Sequence, residues 1–298
     1  MNPLPRYLLY WSAVPAIAIS IWLLHITQVP RSTQTLQVIA VTLASLAFVV
    51  IVRSRRMKVP GNTERLALVM ALSLFVPLLA DTPSGPKRWI FLGGARLYVA
   101  PMVLPAALFL LGAPLIRVPG LYAASVIAAG AALVLQPDAS QVSAFALGML
   151  ALVVSRTHFM LRFTLLVVLL SCAVVAWHIP DPLMPVRHVE GVFSLAAEVS
   201  PVALVAALAC AALPVTALIS SAWSTRSSGT FAVAVYYAAL FAQAPLQVTP
   251  VPLVGFGAGP ILGYFLVAGM VSRASNAPNP CIERTLSGKP GSAAHVKS

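Results

Sequence analysis

The feature that most constrains this chain is a series of ten apolar stretches that together occupy most of its length. A helix needs about 20 residues to cross about 30 Å of hydrocarbon, and fewer where other helices bury it. The stretches are 7–25, 36–52, 66–80, 98–116, 120–135, 139–155, 161–177, 201–223, 229–244 and 251–272. They predict an all-α, polytopic membrane protein with about ten transmembrane helices in one domain, residues 1–273, followed by a disordered tail at 274–298.

Composition excludes several soluble classes. Hydrophobic residues make up 59% of the chain and charged residues 9%, against roughly 45–50% and 25% in soluble domains. Because the apolar stretches extend from residue 7 to residue 272, a soluble domain with one anchor, a disordered protein and a nucleic-acid-binding module are all excluded. The three cysteines, Cys172, Cys210 and Cys281, have no spacing typical of a disulfide framework or a metal site.

The basic residues predict the orientation. With ten spans, most of the 19 Lys and Arg residues fall on the side that holds both termini. The opposite side carries only Arg31, Lys87, Arg88, Arg96 and Arg187. The positive-inside rule therefore places both termini in the cytoplasm.

The acidic residues are distributed in the opposite sense. Asp81, Asp138, Asp181 and Glu190 fall on the outer side, and Glu198 lies just inside that boundary. Since acidic groups in or near apolar helices are costly, this distribution favours a polar site that opens outward. The alternative interpretation is that acidic residues merely avoid the cytoplasmic loops.

The outer loop at 85–94 combines two cations with an aromatic ring. Lys87 and Arg88 next to Trp89 suit the binding of a phosphate or pyrophosphate at headgroup depth, with the indole as an interface anchor. An aromatic belt with snorkelling cations explains the pattern equally well.

A second candidate is Asp138, which follows Leu135, Gln136 and Pro137 and begins the sixth apolar stretch. Ordinary capping of a helix N-terminus is sufficient by itself to account for an aspartate at this position. Because a carboxylate is a hard oxygen ligand, Asp138 could also hold a divalent cation such as Mg²⁺ or Mn²⁺ if this segment belongs to a site.

The loop before residue 191 places Arg187, His188 and Glu190 within four residues. A carboxylate at the mouth of a membrane cavity is partly desolvated, which raises its pKa toward the range useful for a general base. The alternative is a short polar loop with an incidental ion pair.

Farther along, Gly255, Gly259 and Gly263 repeat every four residues and predict a smooth face for close helix packing.

Taken in order, these four segments resemble motifs of the SEDS (FtsW/RodA/SpoVE) family of bacterial cell-shape and division proteins. Residues 85–93 are similar to G-x-x-R-W-I-x-L-G, and 135–138 to L-Q-P-D. Residues 188–193, with Glu198 later, resemble H-T-D-F-I-F followed by G-E-E, and 252–259 resemble P-L-I-S-Y-G-G-S. The resemblance covers most of residues 1–273 and agrees with the ten-span count.

The resemblance implies a lipid II polymerase at the outer face of a bacterial inner membrane, with a role in cell division or cell shape and a class B penicillin-binding protein as partner. Glu190 stands at the position of the family's catalytic Asp and would deprotonate the acceptor sugar hydroxyl. Lys87, Arg88, Trp89, Asp138, Arg187 and His188 would bind the lipid-linked substrate or its pyrophosphate.

Several positions depart from the family pattern. The family's Gln, Glu and Lys of Q-P-S/A-E-x-x-K correspond to Tyr98, Pro101 and Leu104, and the loop before Glu190 is short. These departures favour a second hypothesis, a catalytically inactive SEDS-like membrane scaffold or regulator. A small-solute or lipid transporter is a third, which ten spans also suit, although the sequence has no evident inverted repeat or midplane ion site.

Overall fold

The structure is a computed structural model that describes residues 7–54, 63–79, 87–92, 95–155, 158–181 and 183–275. These residues form eleven α-helices and one two-stranded sheet. The helices are α1 Leu8–Ile26, α2 Arg31–Arg53, α3 Thr63–Ser73, α4 Val99–Leu111, α5 Pro119–Leu135, α6 Ala139–Val154, α7 Phe159–His178, α8 Val192–Val199, α9 Pro201–Thr225, α10 Ser228–Ala242 and α11 Ala258–Ser275. The strands, β1 Trp89–Leu92 and β2 Ala95–Tyr98, lie between α3 and α4.

The helices agree with the predicted all-α membrane class. Each of the ten apolar stretches overlaps one helix of 11 to 25 residues, and α8 is an additional short one. Within the described residues, five helices are long and apolar enough to cross a membrane: α1, α2, α7, α9 and α10 with the turn after it. The others are shorter or less apolar, so the count of ten crossings and the cytoplasmic location of both termini stay predictions.

Two boundaries differ from the predicted ones. The third stretch does not form one helix over 66–80, because α3 ends at Ser73 and a 3₁₀ turn, Val76–Leu79, contains Pro77. The last helix also extends past the predicted end of the membrane domain at residue 273, since α11 continues to Ser275; residues 276–298, the rest of the predicted tail, lie outside the described part of the chain.

The hairpin is a local exception to the all-α expectation. β1 and β2 pair antiparallel, with Trp89 opposite Tyr98 and Phe91 opposite Arg96. Aromatic and branched side chains favour extended backbone, and the guanidinium of Arg96 lies 5.6 Å from the Phe91 ring centre. The hairpin fixes the approach of the chain to α4, which begins directly after Tyr98.

Small residues allow the helices around α11 to approach closely. α11 packs on both α2 and α4. A Cβ added at Gly263 would lie 2.0 Å from the Pro101 carbonyl oxygen, and one at Gly259 would lie 2.2 Å from that of Tyr98. The predicted packing face is therefore confirmed for Gly259 and Gly263, and it is covered by this chain itself. Gly255 lies ahead of α11, where an added Cβ would be 2.4 Å from the Val189 carbonyl oxygen, so the prediction that it continues the helix face is wrong.

Buried polar residues close the end of the bundle that the charges predict to be cytoplasmic. Arg162, fully buried near the start of α7, donates to the carbonyl oxygens of Leu111 at the end of α4, of Ala113 just after it and of Leu152 in α6. Glu64 accepts a 2.6 Å hydrogen bond from the Arg117 N–H ahead of α5. Both side chains satisfy backbone groups that helix ends leave free.

Candidate functional site

A cavity of about 180 Å³ lies where the β1–β2 hairpin, the segment after α7 and the segment after α10 meet. We call it the central cavity. Its walls include Arg88, Trp89, Tyr98, Asp181, Glu190 and Gln247. Three residues predicted for the site, Arg88, Trp89 and Glu190, are thus brought together across about 100 residues of sequence.

Arg88 connects three separate segments at this cavity. Its side chain is only 5% exposed. Nε donates to the Gln136 carbonyl at 2.8 Å, one terminal nitrogen donates to the Pro137 carbonyl, and the other forms a 2.8 Å ion pair with Asp181. Because the hydrogen bonds go to backbone oxygens, Arg88 holds the hairpin against the turn between α5 and α6.

Asp138 lies behind the cavity wall. It is 1% exposed, and its carboxylate accepts hydrogen bonds from the Tyr98 hydroxyl, from Ser140 Oγ at 3.2 Å and from the Gln141 backbone N–H at 3.4 Å. The capping role that the sequence left open is therefore present. Its oxygens accept hydrogen bonds from this chain's own donors. Asp138 therefore contributes to the cavity by holding the Tyr98 side chain in the cavity wall.

The polar network continues from Asp138 into the bundle. The side chain of Gln141 accepts a hydrogen bond from the Tyr236 hydroxyl and donates to Thr249 Oγ1 at 3.2 Å. All three groups are buried. Since buried polar groups stabilise one arrangement only when they are hydrogen-bonded, this network fixes α6, α10 and the segment after α10 relative to one another.

Glu190 lies in a tight turn that begins at Val186. Its carboxylate accepts a 2.9 Å hydrogen bond from the Val186 N–H, and its own N–H donates to the Val186 carbonyl at 3.0 Å. Burial raises the pKa of Glu190, and the hydrogen bond from Val186 and the positive charge of Arg88 oppose this in part. A half-buried carboxylate with a raised pKa is suited to accept a proton.

Lys87 and Trp89 flank Arg88. The Trp89 ring lies 5.8 Å from the Tyr98 ring and forms part of the cavity wall. Lys87 Nζ donates to the Leu78 carbonyl at 3.3 Å and does not line the cavity. Gly85 and Gly93 of the same motif lie outside the described residues.

Arg187 and His188 face a second space, separate from Glu190. This side cavity, of about 430 Å³, is lined by Thr27, Val29, Arg187, His188, Leu195, Glu198 and Val199. Arg187 forms an ion pair with Glu198, and the His188 ring lies 5.9 Å from that of Phe256. The sequence grouped Arg187, His188 and Glu190 as one neighbourhood; the structure divides them between two cavities.

The described residues of the central cavity do not supply a complete set of protein ligands for a divalent cation. Among the residues that the structure describes, no three His, Cys, Asp or Glu side chains lie close enough together to hold a metal ion. Asp181 is paired with Arg88, and Asp138 accepts three hydrogen bonds. We therefore derive no step through Mg²⁺ or Mn²⁺.

Tyr98 and Asp181, the two cavity residues that bond to Asp138 and Arg88, were not predicted as site residues from the sequence. Tyr98 is the first residue of an apolar stretch, and nothing in the pattern indicates that its hydroxyl reaches Asp138. Asp181 is recognisable only as one of several acidic residues on the outer side. Both become interpretable once the hairpin is formed, because the hairpin sets the position of Tyr98 and the direction of Arg88.

Comparison with solved structures identifies the fold. A crystal structure of the rod shape determining protein RodA of Thermus thermophilus superposes with a TM-score of 0.67 at 20% identity, covering 90% of this chain and 96% of the other. A crystal structure of an Asp-to-Ala variant of the same protein superposes with a TM-score of 0.68 at 22% identity and the same coverage of both chains. The fold is that of RodA. No protein family model and no curated protein matches the sequence.

The RodA fold confirms the architecture that the SEDS resemblance predicted, a multi-pass helical membrane protein. One chain in a structure of a peptidoglycan synthase complex that coordinates polymerization and crosslinking has the same fold. It superposes with a TM-score of 0.65 at 21% identity, covering 90% of this chain and 96% of its own length. The two better matching motifs, at 85–93 and 135–138, are in contact in this fold, because Arg88 of the first donates hydrogen bonds to the Gln136 and Pro137 carbonyls of the second.

Proposed function

We propose that this chain is a divergent SEDS-type glycosyltransferase that polymerises lipid II at the outer face of a bacterial inner membrane. The observation that carries the proposal is the central cavity, in which Glu190 and the buried Arg88 share one polar space on a RodA fold. A partly desolvated carboxylate and a fixed cation are what glycosyl transfer to a hydroxyl requires.

In the proposed reaction, Glu190 accepts the proton of the acceptor sugar hydroxyl. The hydroxyl oxygen forms a bond to the anomeric carbon of the donor, and the bond from that carbon to the pyrophosphate oxygen breaks. The undecaprenyl pyrophosphate leaves with the bonding electron pair, and Glu190 holds the proton. Arg88 supplies positive potential for the departing oxygen.

Asp181, Asp138 and Tyr98 act as positioning residues in this scheme. Asp181 is about one-third exposed at 34%, so an incoming pyrophosphate can compete with it for Arg88. Asp138 and Tyr98 stay in place and hold the wall. The central cavity is smaller than the roughly 300–1,000 Å³ of typical ligand pockets, so we propose that it takes only the reacting ends of the two sugars.

A class B penicillin-binding protein is the partner that we propose. The support is the likeness to a peptidoglycan synthase complex that coordinates polymerization and crosslinking. A role in cell division or in cell shape follows from the same proposal.

A catalytically inactive scaffold or regulator is the second candidate function, and one observation favours it. Pro101 and Leu104, which stand where the SEDS motif has ionisable residues, are buried in apolar packing. If this candidate is right, the central cavity binds a lipid-linked sugar without turnover.

Polymerisation of labelled lipid II by the purified protein, alone and with a class B penicillin-binding protein, tests the proposal. We expect glycan strands with the native chain and none with Glu190→Gln. Arg96→Gln, an exposed charge removed from the same hairpin as Arg88, is expected to polymerise normally. Equal activity of the native chain and Glu190→Gln would contradict the mechanism, and lipid II binding without strands from a folded native chain would favour the scaffold.

A further inference from the structure

The side cavity has no role in the reaction described above. It lies between the α1–α2 connection and α8, and at about 430 Å³ it is more than twice the volume of the central cavity. This volume is within the range of pockets that bind small ligands, roughly 300–1,000 Å³. Its size and position next to Glu190 indicate a binding site for another part of the substrate.

Opposite charges face each other inside this cavity. Arg187 and Glu198 form an ion pair, yet their side chains are 69% and 58% exposed. An exposed pair of this kind adds little stability, so it is readily exchanged for other partners. A ligand that brings one negative and one positive group satisfies both residues when it separates them.

We propose that the side cavity binds a short zwitterionic peptide, with the peptide's carboxylate on Arg187 and its ammonium group on Glu198. This inference rests on the proposed function, because the lipid-linked sugar of that reaction carries a peptide branch with both groups. The side cavity would then recognise the peptide while the central cavity holds the reacting sugars.

The wall composition favours a zwitterion over a polyanion such as pyrophosphate. Glu198 would repel a polyanion bound at Arg187. Burial also lowers the pKa of His188, which therefore adds no second cation near neutral pH. Val29, Leu195 and Val199 supply apolar surface suited to alanine-like side chains.

A single turn joins the two cavities. The Val186 carbonyl accepts hydrogen bonds from the N–H groups of Val189, Glu190 and Gly191 at 2.9, 3.0 and 3.2 Å. The turn is fixed from the other side by a 2.8 Å hydrogen bond from the Phe256 N–H to the His188 carbonyl. The same fixed turn therefore holds Arg187 at the side cavity and Glu190 at the central cavity.

A binding experiment with charge-matched probes tests the proposal. The probe is a peptide ending in Lys-D-Ala-D-Ala with an uncharged BODIPY fluorophore on its N-terminus, so that it keeps one ammonium and one carboxylate. Its binding to the full chain in detergent is measured by fluorescence anisotropy. A C-terminally amidated form and a lysine-acetylated form remove the two charges one at a time. The variants are Arg187→Gln and Glu198→Gln, with Arg96→Gln as the matched surface control.

We expect Arg187→Gln to weaken binding of the free-acid peptide about tenfold and to leave the amidated peptide unchanged. Glu198→Gln should likewise weaken the peptide with a free lysine and leave the acetylated one unchanged. Equal binding of all three probes by the native chain would overturn the proposal, as would equal losses for all three in either variant.

The assay separates this inference from the proposed function, since it requires no turnover. Glu190→Gln should bind the peptide as the native chain does. Polymerisation without charge-dependent peptide binding would contradict the peptide site alone. Peptide binding by a native chain that makes no glycan strands would support the site and contradict the glycosyltransferase.

Discussion

At the residue scale, the half-buried carboxylate of Glu190 predicts a pH dependence. Burial raises the pKa of Glu190, and only its ionised form accepts a proton. Activity should therefore fall as the pH drops through this raised pKa, at a higher pH than the ordinary value of about 4.3. The measurement is the initial polymerisation rate against pH, with membrane integrity checked at each point.

The control for this prediction is the conservative variant. Glu190→Asp keeps an ionisable group and should keep an acid limb with a lower rate, whereas Glu190→Gln should have no activity to titrate. An acid limb that persists unchanged in Glu190→Gln would assign the titration to another group.

Arg88 gives a stability prediction. Arg88→Gln leaves the carbonyls of Gln136 and Pro137 without their donor and Asp181 without its cation. The expected loss of folding free energy is about 2–3 kcal/mol. The loss is below that for a fully buried ion pair, because water can solvate the partly exposed Asp181 carboxylate once its cation is removed. Thermal melting in detergent measures it.

Arg96→Gln serves as the matched change in the same hairpin, because Arg96 is exposed and its guanidinium lies over the Phe91 ring. Its expected effect is within about 0.5 kcal/mol. Equal melting temperatures for the two variants would mean that Arg88 does not hold the hairpin.

The sequence predicted Arg88 and Glu190 as neighbours in function because each lies in a recognisable motif. It did not predict the division between the two cavities. Arg187 and Glu190 are three residues apart, and only the closed turn at Val186 decides that they face opposite sides. Tyr98 was missed because a tyrosine at the start of an apolar stretch carries no local signal of a buried carboxylate partner.

At the element scale, the contact between α11 and α4 predicts a steric effect. In Gly263→Ala the new methyl group would lie 2.0 Å from the Pro101 carbonyl oxygen and 2.9 Å from Met102 Cα. Backbone atoms cannot rotate away, so α11 must shift, at a cost of about 1–3 kcal/mol. A lower melting temperature is the expected result.

Gly120→Ala is the control for this prediction. Gly120 lies in the first turn of α5, and a Cβ there meets nothing within 4 Å. Alanine should be neutral or slightly stabilising at this position, since it has the higher helix propensity. Equal destabilisation by the two changes would contradict the packing explanation.

The long helices were predictable because apolar residues persist over a membrane thickness, whereas the short elements were not. α8 has only eight residues, and its buried side chains, Val192, Leu195 and Ala196, span little more than one turn. The hairpin depends on pairing between Trp89 and Tyr98, a contact that hydropathy does not report. Pro77 explains the early end of α3, since proline interrupts helical hydrogen bonding.

At the scale of the whole molecule, the charge distribution predicts that residues 183–190 face the periplasm and that the α4–α5 connection faces the cytoplasm. Met184, 85% exposed, and Leu115, 59% exposed, are suitable single-cysteine positions. In a background with Cys172, Cys210 and Cys281 replaced by serine, a membrane-impermeant maleimide on intact cells should label Met184→Cys only.

Permeabilised cells provide the control, because both positions should then react. Labelling of Leu115→Cys in intact cells, with Met184→Cys protected, would reverse the orientation and place Glu190 on the cytoplasmic side. The proposed reaction with lipid II at the outer face would then be wrong.

The packing of the first helices against the last ones determines when the bundle can close. α1 packs on α9 and α2 packs on α11, and Tyr10, Phe48 and Phe265 meet in one aromatic cluster, with the Tyr10 ring centre 5.3 Å from each of the other two. During synthesis on the ribosome, Tyr10 and Phe48 are made more than 200 residues before Phe265. The two earliest helices are therefore in the membrane without their Phe265 contact until translation is almost complete, and the side chains of Tyr10 and Phe48 that pack on it stay exposed to lipid during that time.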